Sequence, residues 1–353
     1  MAKNIKTNRI ILNKTPLRLS FGGGGTELPI YYEKYGGCVI NTAINLFVIT
    51  KIEKNKENRL KIILSDFNRS KIFSIKKNIY IKNNHYKIHL AVYKKISELY
   101  LNNKQYPIII TSYSDAPIGS GLGTSSTLTV SLIKAMTDFF NIKISKFKLA
   151  SVAFDIERNY LKLSGGLQDH FSASYGGINK ITANLNKIVV KKQKVSKQLF
   201  DQINNSMLLI YTGISRDSGE EINKLKNNIK IKSNKYLNYL HFQKKNVYQQ
   251  IKLFNTNNIY KLFTIVKKSW SYKNKFLSNK HASIKNIIKK ISFKGVYATK
   301  ISGAGNGGFL FCLCNPLIIG KIKKILKNNR KNYIIRPSIY NKGSHSIIIS
   351  NDK

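Results

Sequence analysis

Residues 117–126 read Pro117-Ile-Gly-Ser-Gly-Leu-Gly-Thr-Ser-Ser126, three alternating glycines directly ahead of an apolar stripe at helical spacing. The stripe, Leu128, Leu132, Ile133, Met136, Phe139 and Phe140, predicts a helix that opens near Ser125. Without Cβ atoms, the backbone at Gly119, Gly121 and Gly123 is free to take positive φ and to approach a ligand closely. The helix start adds unpaired N–H groups and the positive end of the helix dipole, a ready seat for phosphate. The hydroxyls of Thr124, Ser125 and Ser126 stand where they could reach phosphate oxygens or Mg2+. The segment is not a Walker A loop, because no lysine follows the glycines. Nor does it sit early in a βαβ unit with an acidic residue about 20 positions on, as a dinucleotide fingerprint would.

Outward from this loop the chain alternates strands and helices. A strand over 107–112 leads into the glycines, and Ile88, Val92, Ile96, Leu99 and Tyr100 predict a helix over 85–101 before it. Strand-like runs at 10–19 and 38–53 flank another glycine cluster at 22–25, followed by Thr26 and Glu27. Arg18 precedes that cluster, and a buried arginine beside a glycine-rich loop suits phosphate or an activated acid. Downstream, a helix over 146–163 ends in a loop at 164–166. The second half opens with a strand over 207–211. A helical region follows over 219–290, interrupted near 255–258 and 274–280, then a strand–loop–strand stretch over 296–313. A helix near 317–328 and strands over 334–340 and 346–350 close the chain. Lys300-Ile-Ser-Gly-Ala-Gly-Asn-Gly-Gly-Phe309 carries more glycines than a hairpin needs, which predicts a loop whose amides face phosphates or substrate. The pattern predicts two α+β domains, 1–204 and 205–353.

Composition narrows the partners. At 353 residues the chain is long enough for two packed cores. Its apolar runs fall far short of the ~20 residues needed to cross a bilayer, so no membrane partner is expected. The N-terminus, from Met1 through Lys6, has no apolar h-region, which makes a cytoplasmic location the expectation. Cys38, Cys312 and Cys314 form no C-x-x-C pair and read as small buried hydrophobes in a reducing compartment. A formal charge of +45 points at first to nucleic acid. Yet only eight of the 61 basic residues are arginine, and the lysines are interleaved with Asn and Ile, a mixture that A/T-rich codons alone produce. Sequence-reading sites favour clustered arginine, so no specific nucleic-acid partner is expected, only weak non-specific attraction to polyanions. His85 and His89 are four apart but have no third ligand.

Taken in order, the three glycine-rich segments resemble the GHMP kinase superfamily, over a stretch from Thr15 to about Leu313. The middle motif, P-x-G-x-G-L-G-[ST]-S, is the most specific. Within the superfamily, the segments 15–27, 165–170, 174–178 and 211–216 look most like the heptose 7-phosphate kinases. Galactokinases carry G-E-H-T-D where this chain has Gly23-Gly-Gly-Thr-Glu27, which argues against galactose. The resemblance implies a ribosomal-protein-S5-like N-terminal domain, a ferredoxin-like C-terminal domain and an active site in the cleft between them. It implies ATP-dependent phosphorylation of the anomeric hydroxyl of D-glycero-D-manno-heptose 7-phosphate, with a fucose- or hexose-type kinase as the alternative. A non-catalytic basic binding protein on the same fold is the more distant one, and a homodimer is compatible with the family.

Roles carry over by position. Pro117, Gly119, Ser120, Gly121, Leu122 and Gly123, with Thr124, Ser125 and Ser126, match the ATP phosphate loop. Ser125 and Glu157 match the Mg2+ ligands. Asp169 matches the catalytic aspartate, and Arg18 a basic residue beside it. Gly23, Gly24, Gly25, Thr26 and Glu27 match the sugar side, with Gly166, Gly303, Ala304 and Gly305. Arg216 is the first candidate to anchor a phosphate on the acceptor, with Lys273 and Lys275 behind it. His170 stands where the heptose kinases often have Gln, and Asn306 interrupts a run that is commonly all glycine.

Overall fold

The runs expected near 10–19 and 38–53 pair as two long antiparallel strands, β1 (Arg9–Gly22) and β2 (Gly37–Lys54). Their register shifts between Pro16 and Arg18 and again between Ser20 and Gly22. Such irregularities bend a strand and re-aim its side chains, here just before the first glycine cluster. The structure, a computed structural model, describes residues 9–75, 81, 85–214, 219–231, 233–256, 258–275, 281–303, 305, 307–326 and 333–350.

Five further strands extend this sheet: β3 (Arg59–Leu64), β4 (Arg69–Ser74), β5 (Ile108–Ser114), β6 (Ile178–Ala183) and β7 (Ile188–Lys192). Of these, only β5 was expected from the sequence. β4 is an edge strand, exposed along nearly its whole length, and so carries no apolar alternation to read. The helices of this half are α1 (Pro29–Tyr35), α2 (Lys87–Tyr100), α3 (Thr124–Phe139), α4 (Lys146–Asp155), α5 (Gln168–Tyr175) and α6 (Lys197–Ser206). Val92 and Ile96 of α2 are buried as expected, whereas Leu99 is 54% exposed. α3 is buried on several sides, including Thr127, Thr129 and Ser131, because it lies against α2, α4, α5 and the first sheet.

The second sheet joins β8 (Met207–Tyr211), β9 (Val296–Ile301), β10 (Phe309–Cys314) and β11 (Ile334–Ile335) in the order β11-β8-β10-β9, all antiparallel. Between β8 and β9 lie α7 (Gly219–Lys230), α8 (Asn234–Leu253), α9 (Ile259–Asn274) and α10 (Ala282–Ile291), and between β10 and β11 lies α11 (Ile319–Leu326). This is the connectivity and strand order of a ferredoxin-like unit. The last strand, β12 (His345–Ser350), returns to pair with β1. The division expected at 204/205 is therefore crossed, because the chain's end completes the first sheet.

Every residue of β10 is buried, and its period of two divides two cores. Phe309, Phe311 and Leu313 pack with Leu17, Leu19 and Phe21 of β1, so one core spans both sheets. Leu310, Cys312 and Cys314 face the helices α10 and α11. The three cysteines are free and buried, as read from their spacing. The shared core holds β1 and the β9–β10 loop in fixed relation, and the glycine-rich segments lie where they meet. Among the described residues, no helix is long and apolar enough to cross a membrane.

Candidate active site

Gly119, Gly121 and Gly123 have φ of +78°, +77° and +80°, a left-handed backbone that favours glycine. Gly123 is the N-cap of α3, and no side chain caps that helix start. The first-turn amides thus lack the side-chain acceptor that usually satisfies them. Ser120, Leu122 and Thr124 are buried and shape the loop, with the Ser120 and Thr124 hydroxyls 3.1 Å apart. The Pro117 carbonyl accepts from the Ser120 amide at 3.1 Å and closes the turn. Ser125 is half-buried at the loop's mouth.

The third glycine cluster leans on this loop. A Cβ at Gly303 would lie 2.8 Å from the Gly121 Cα, and one at Gly308 would lie 2.2 Å from the Ser120 carbonyl. The Phe309 amide donates to that same carbonyl at 2.9 Å. Packing of loop on loop therefore accounts for glycine at Gly303 and Gly308. Gly305, also at positive φ, is buried within the same turn. Ala304, Asn306 and Arg216 lie outside the described residues.

Arg18 and Asp169 meet beneath the loop. Arg18 Nε donates to Asp169 Oδ1 at 2.7 Å and a terminal nitrogen donates to Oδ2 at 2.9 Å, a bidentate pair. The other terminal nitrogen donates to the Gly121 carbonyl at 2.6 Å, and the Arg18 amide donates to the Leu122 carbonyl at 3.1 Å. One arginine thus ties β1, the phosphate-type loop and the first turn of α5 together.

Glu157 lies in a π-helical turn, Ile156–Tyr160, that follows α4. Wide turns of this kind recur at functional sites because they re-aim a side chain. Here the carboxylate is fully buried rather than on a solvated helix face. It accepts from Ser125 at 3.1 Å, Ser126 at 2.8 Å and Thr129 at 2.7 Å, and lies 3.0 Å from His170 Nε2 and 3.1 Å from Arg158. Burial alone would raise its pKa. The His170 and Arg158 charges and the donated hydrogen bonds outweigh burial and bring it down to about 2. The result is an ionised carboxylate beside the half-buried Ser125 hydroxyl.

Glu27 is also buried, and its pKa moves the other way, up to about 7, chiefly through burial, with the Asp169 charge adding to it. Its carboxyl accepts from the Gly25 amide at 2.6 Å and from Gln168 Nε2 at 2.7 Å. A Cβ at Gly166 would lie 2.3 Å from Glu27 Cγ, so this glycine makes room for the side chain. Thr26 is buried and bonds the Gly23 and Cys38 carbonyls, which holds the loop to β2. Gly24 lines the cleft, together with Arg18, Gln168, Lys273 and Lys300.

Arg18, Glu27, Glu157, Gly166, Asp169 and the loop 119–126 thus come together from five separate stretches of sequence. Gln168, His170, Arg158, Thr129 and Lys300 are further members that sequence reasoning missed. A signal was present for two of them. Gln168, Asp169 and His170 are consecutive at a helix start, and successive side chains there point about 100° apart. They reach Glu27, Arg18 and Glu157 respectively.

Residues 84–177 match the model of the GHMP kinases N terminal domain, and residues 251–332 that of the GHMP kinases C terminal. The chain is 30% identical to a D-glycero-alpha-D-manno-heptose 7-phosphate kinase of Campylobacter jejuni over 312 residues, 87% of this chain and 90% of that protein. It is 23% identical to the L-fucokinase/L-fucose-1-P guanylyltransferase of Bacteroides fragilis, over 93% of this chain but 37% of that one. Among solved structures, a D-glycero-D-manno-heptose 1-phosphate kinase from Bacteroides thetaiotaomicron superposes with a TM-score of 0.81 at 26% identity, covering 97% of this chain and all of the other. A Lactococcus lactis galactokinase complexed with galactose shares the fold, with a TM-score of 0.78 at 14% identity, over 98% of this chain and 96% of that one.

Proposed function

This chain belongs to the GHMP kinases and is a phosphotransferase acting on a sugar hydroxyl; from that premise we propose that it phosphorylates the anomeric hydroxyl of D-glycero-D-manno-heptose 7-phosphate, using ATP, to give the 1,7-bisphosphate. The observation that carries the chemistry is the Arg18–Asp169 pair seated against the phosphate-type loop. The observation that favours a heptose phosphate over other sugars is likeness across nearly the whole chain to a heptose 7-phosphate kinase. The two named heptose kinases differ in where their substrate carries its phosphate, so the position on the acceptor rests on the Campylobacter relative.

The geometry supports the following roles. The loop 119–123 and the uncapped start of α3 would receive the phosphates of ATP. Ser125 and Glu157 fit Mg2+, which favours hard oxygen donors and needs few from the protein because it keeps waters and binds phosphate oxygens. Bound there, Mg2+ would neutralise charge on the phosphates. Asp169 would take the proton of the acceptor hydroxyl as its oxygen attacks phosphorus in line. Arg18 holds that carboxylate by two hydrogen bonds and adds positive charge where charge spreads in the transition state. Glu27 and Gln168, bonded to each other on the far side of Asp169, would orient the sugar's hydroxyls.

Product analysis tests this reading. With ATP and heptose 7-phosphate, 31P NMR should show a second sugar phosphorus resonance coupled to the anomeric proton. Transfer confined to fucose or an unphosphorylated hexose would replace the heptose reading with its alternative.

A further inference from the structure

The cleft beside Asp169 has a second wall, supplied by α8, α9 and the end of β9, and two lysines stand on it. Lys273, in the last turn of α9, donates from Nζ to the Gly303 carbonyl at 2.7 Å. Lys300, on β9, reaches across to β1 and donates to the Ser20 carbonyl at 2.6 Å. Ser20 lies two residues beyond Arg18 on the same strand, so three cationic side chains line one small space. Among the described residues, Arg18 is paired with Asp169, while neither lysine is within ion-pair distance of a carboxylate.

Resting on the reading of the chain as a sugar kinase, we propose that Lys273 and Lys300 together anchor the phosphate that the acceptor already carries. Holding two ammonium groups near each other and near Arg18, with no carboxylate in ion-pair contact with either lysine, is costly, and an anion removes that cost. Burial first, then the positive charges of Lys273 and Arg18, lowers Lys300 to about 7, and burial first, with Arg18, lowers Lys273 to about 8 against the support of Glu27 and Glu221. The carbonyl acceptors at Gly303 and Ser20 use one proton of each ammonium and leave the others to donate.

The anion belongs to the acceptor rather than to ATP because of what surrounds it. The space is lined by Gly22, Gly24 and Gln168 of the sugar side and by Tyr239, Gln243 and Trp270 of α8 and α9. No residue of the loop 119–123 lines it. Lys275, two residues beyond Lys273, is exposed with its ammonium over the Tyr272 ring, 5.6 Å from the centroid, and takes no part.

Steady-state kinetics of Lys273→Gln and Lys300→Gln, with Lys275→Gln as control, test the anchor. For each of the first two, KM for heptose 7-phosphate should rise at least about 10-fold, KM for ATP should change less than about 2-fold, and kcat/KM for free heptose should hold. The control should match wild type. Equal losses with phosphorylated and free sugar, or a loss confined to ATP, would overturn the assignment. A measurement on the wild-type enzyme covers the case of a variant that does not fold: inorganic phosphate should compete with the phosphorylated acceptor and not with ATP, and the reverse would count against the anchor. If the wild-type enzyme ignored heptose 7-phosphate but used another sugar phosphate, the heptose reading would fail and the anchor would stand. If it preferred sugars without phosphate, the anchor would fail.

Discussion

Gly123 leaves no room for a side chain beside Asp169: a methyl group added to Gly123 would lie 3.1 Å from both Cγ and Oδ2 of the Asp169 carboxylate. The last glycine of the phosphate-type loop thus faces the aspartate across a gap that any side chain would fill. Arg18 holds the same two segments together, with hydrogen bonds to Asp169 and to the Gly121 carbonyl. A phosphoryl group delivered by the loop would arrive beside the carboxylate proposed to receive the acceptor's proton, an arrangement whose value depends on sub-ångström placement.

Gly123→Ala should therefore cost activity more than stability. At φ +80° the new side chain pays about 1–2 kcal/mol in left-handed backbone, and its methyl presses on Asp169. We expect kcat to fall at least about 10-fold, as a small misplacement near the chemistry does. Melting temperature should fall by only a few degrees. Parallel kcat and melting measurements check this, and an unchanged kcat would separate the contact from catalysis.

Arg18→Lys keeps the charge but loses the planar fork that grips both carboxylate oxygens and the loop carbonyl at once. A drop in kcat of about 100-fold or more is expected, with KM for ATP much less affected. A lysine variant close to wild type would show that charge alone suffices.

Glu157→Gln removes a carboxylate that gathers three hydroxyl donors, His170 and Arg158. The Mg2+ concentration for half-maximal activity should rise at least about 10-fold, and Mg·ATP should lose most of its stabilising effect in melting experiments. Because the folded-state pKa is depressed to about 2 from 4.5, the stability this group contributes is present above pH 4.5 and lost as pH falls towards 2. The variant should lack that part of the acid destabilisation. Unaltered Mg2+ dependence would remove Glu157 from the metal site.

Glu27 titrates with the opposite sign. Its folded-state pKa is raised to about 7, so the stability it contributes is full below pH 4.5 and is lost as pH rises through 7. Glu27→Gln carries no such penalty. Its melting temperature should gain on that of wild type between pH 5 and pH 8, while KM for the sugar worsens. A difference in melting temperature that stays flat over this range would contradict the raised pKa.

Much of this was legible in the sequence, for a physical reason. Gly119, Gly121 and Gly123 stand out because a backbone at positive φ admits few other residues. Arg18, Glu157 and Asp169 were singled out by resemblance to the family, and the two carboxylates stood out further because the chain has only 16 acidic residues. Lys300 could not be singled out, because one cleft lysine among so many carries no local mark, and its partner Ser20 is 280 residues away. β12 was readable as a strand but not as a neighbour of β1, since pairing across the whole chain leaves no trace in either segment. The third glycine cluster was read as amides facing a ligand, whereas Gly303 and Gly308 are required by contact with the phosphate-type loop. His170 looked like a departure from a usual Gln, and its burial against Glu157 gives it a partner that its place at the helix start alone does not name.

Turnover of the wild-type chain and of Asp169→Asn, measured side by side with Mg·ATP and heptose 7-phosphate, tests the account most directly. The wild-type enzyme should transfer phosphate, and the variant, with Arg18 and the loop intact and an unchanged melting profile, should lose about 100- to 10,000-fold in kcat. A folded Asp169→Asn variant that kept full turnover, or a wild-type chain that phosphorylated no sugar at all, would contradict it.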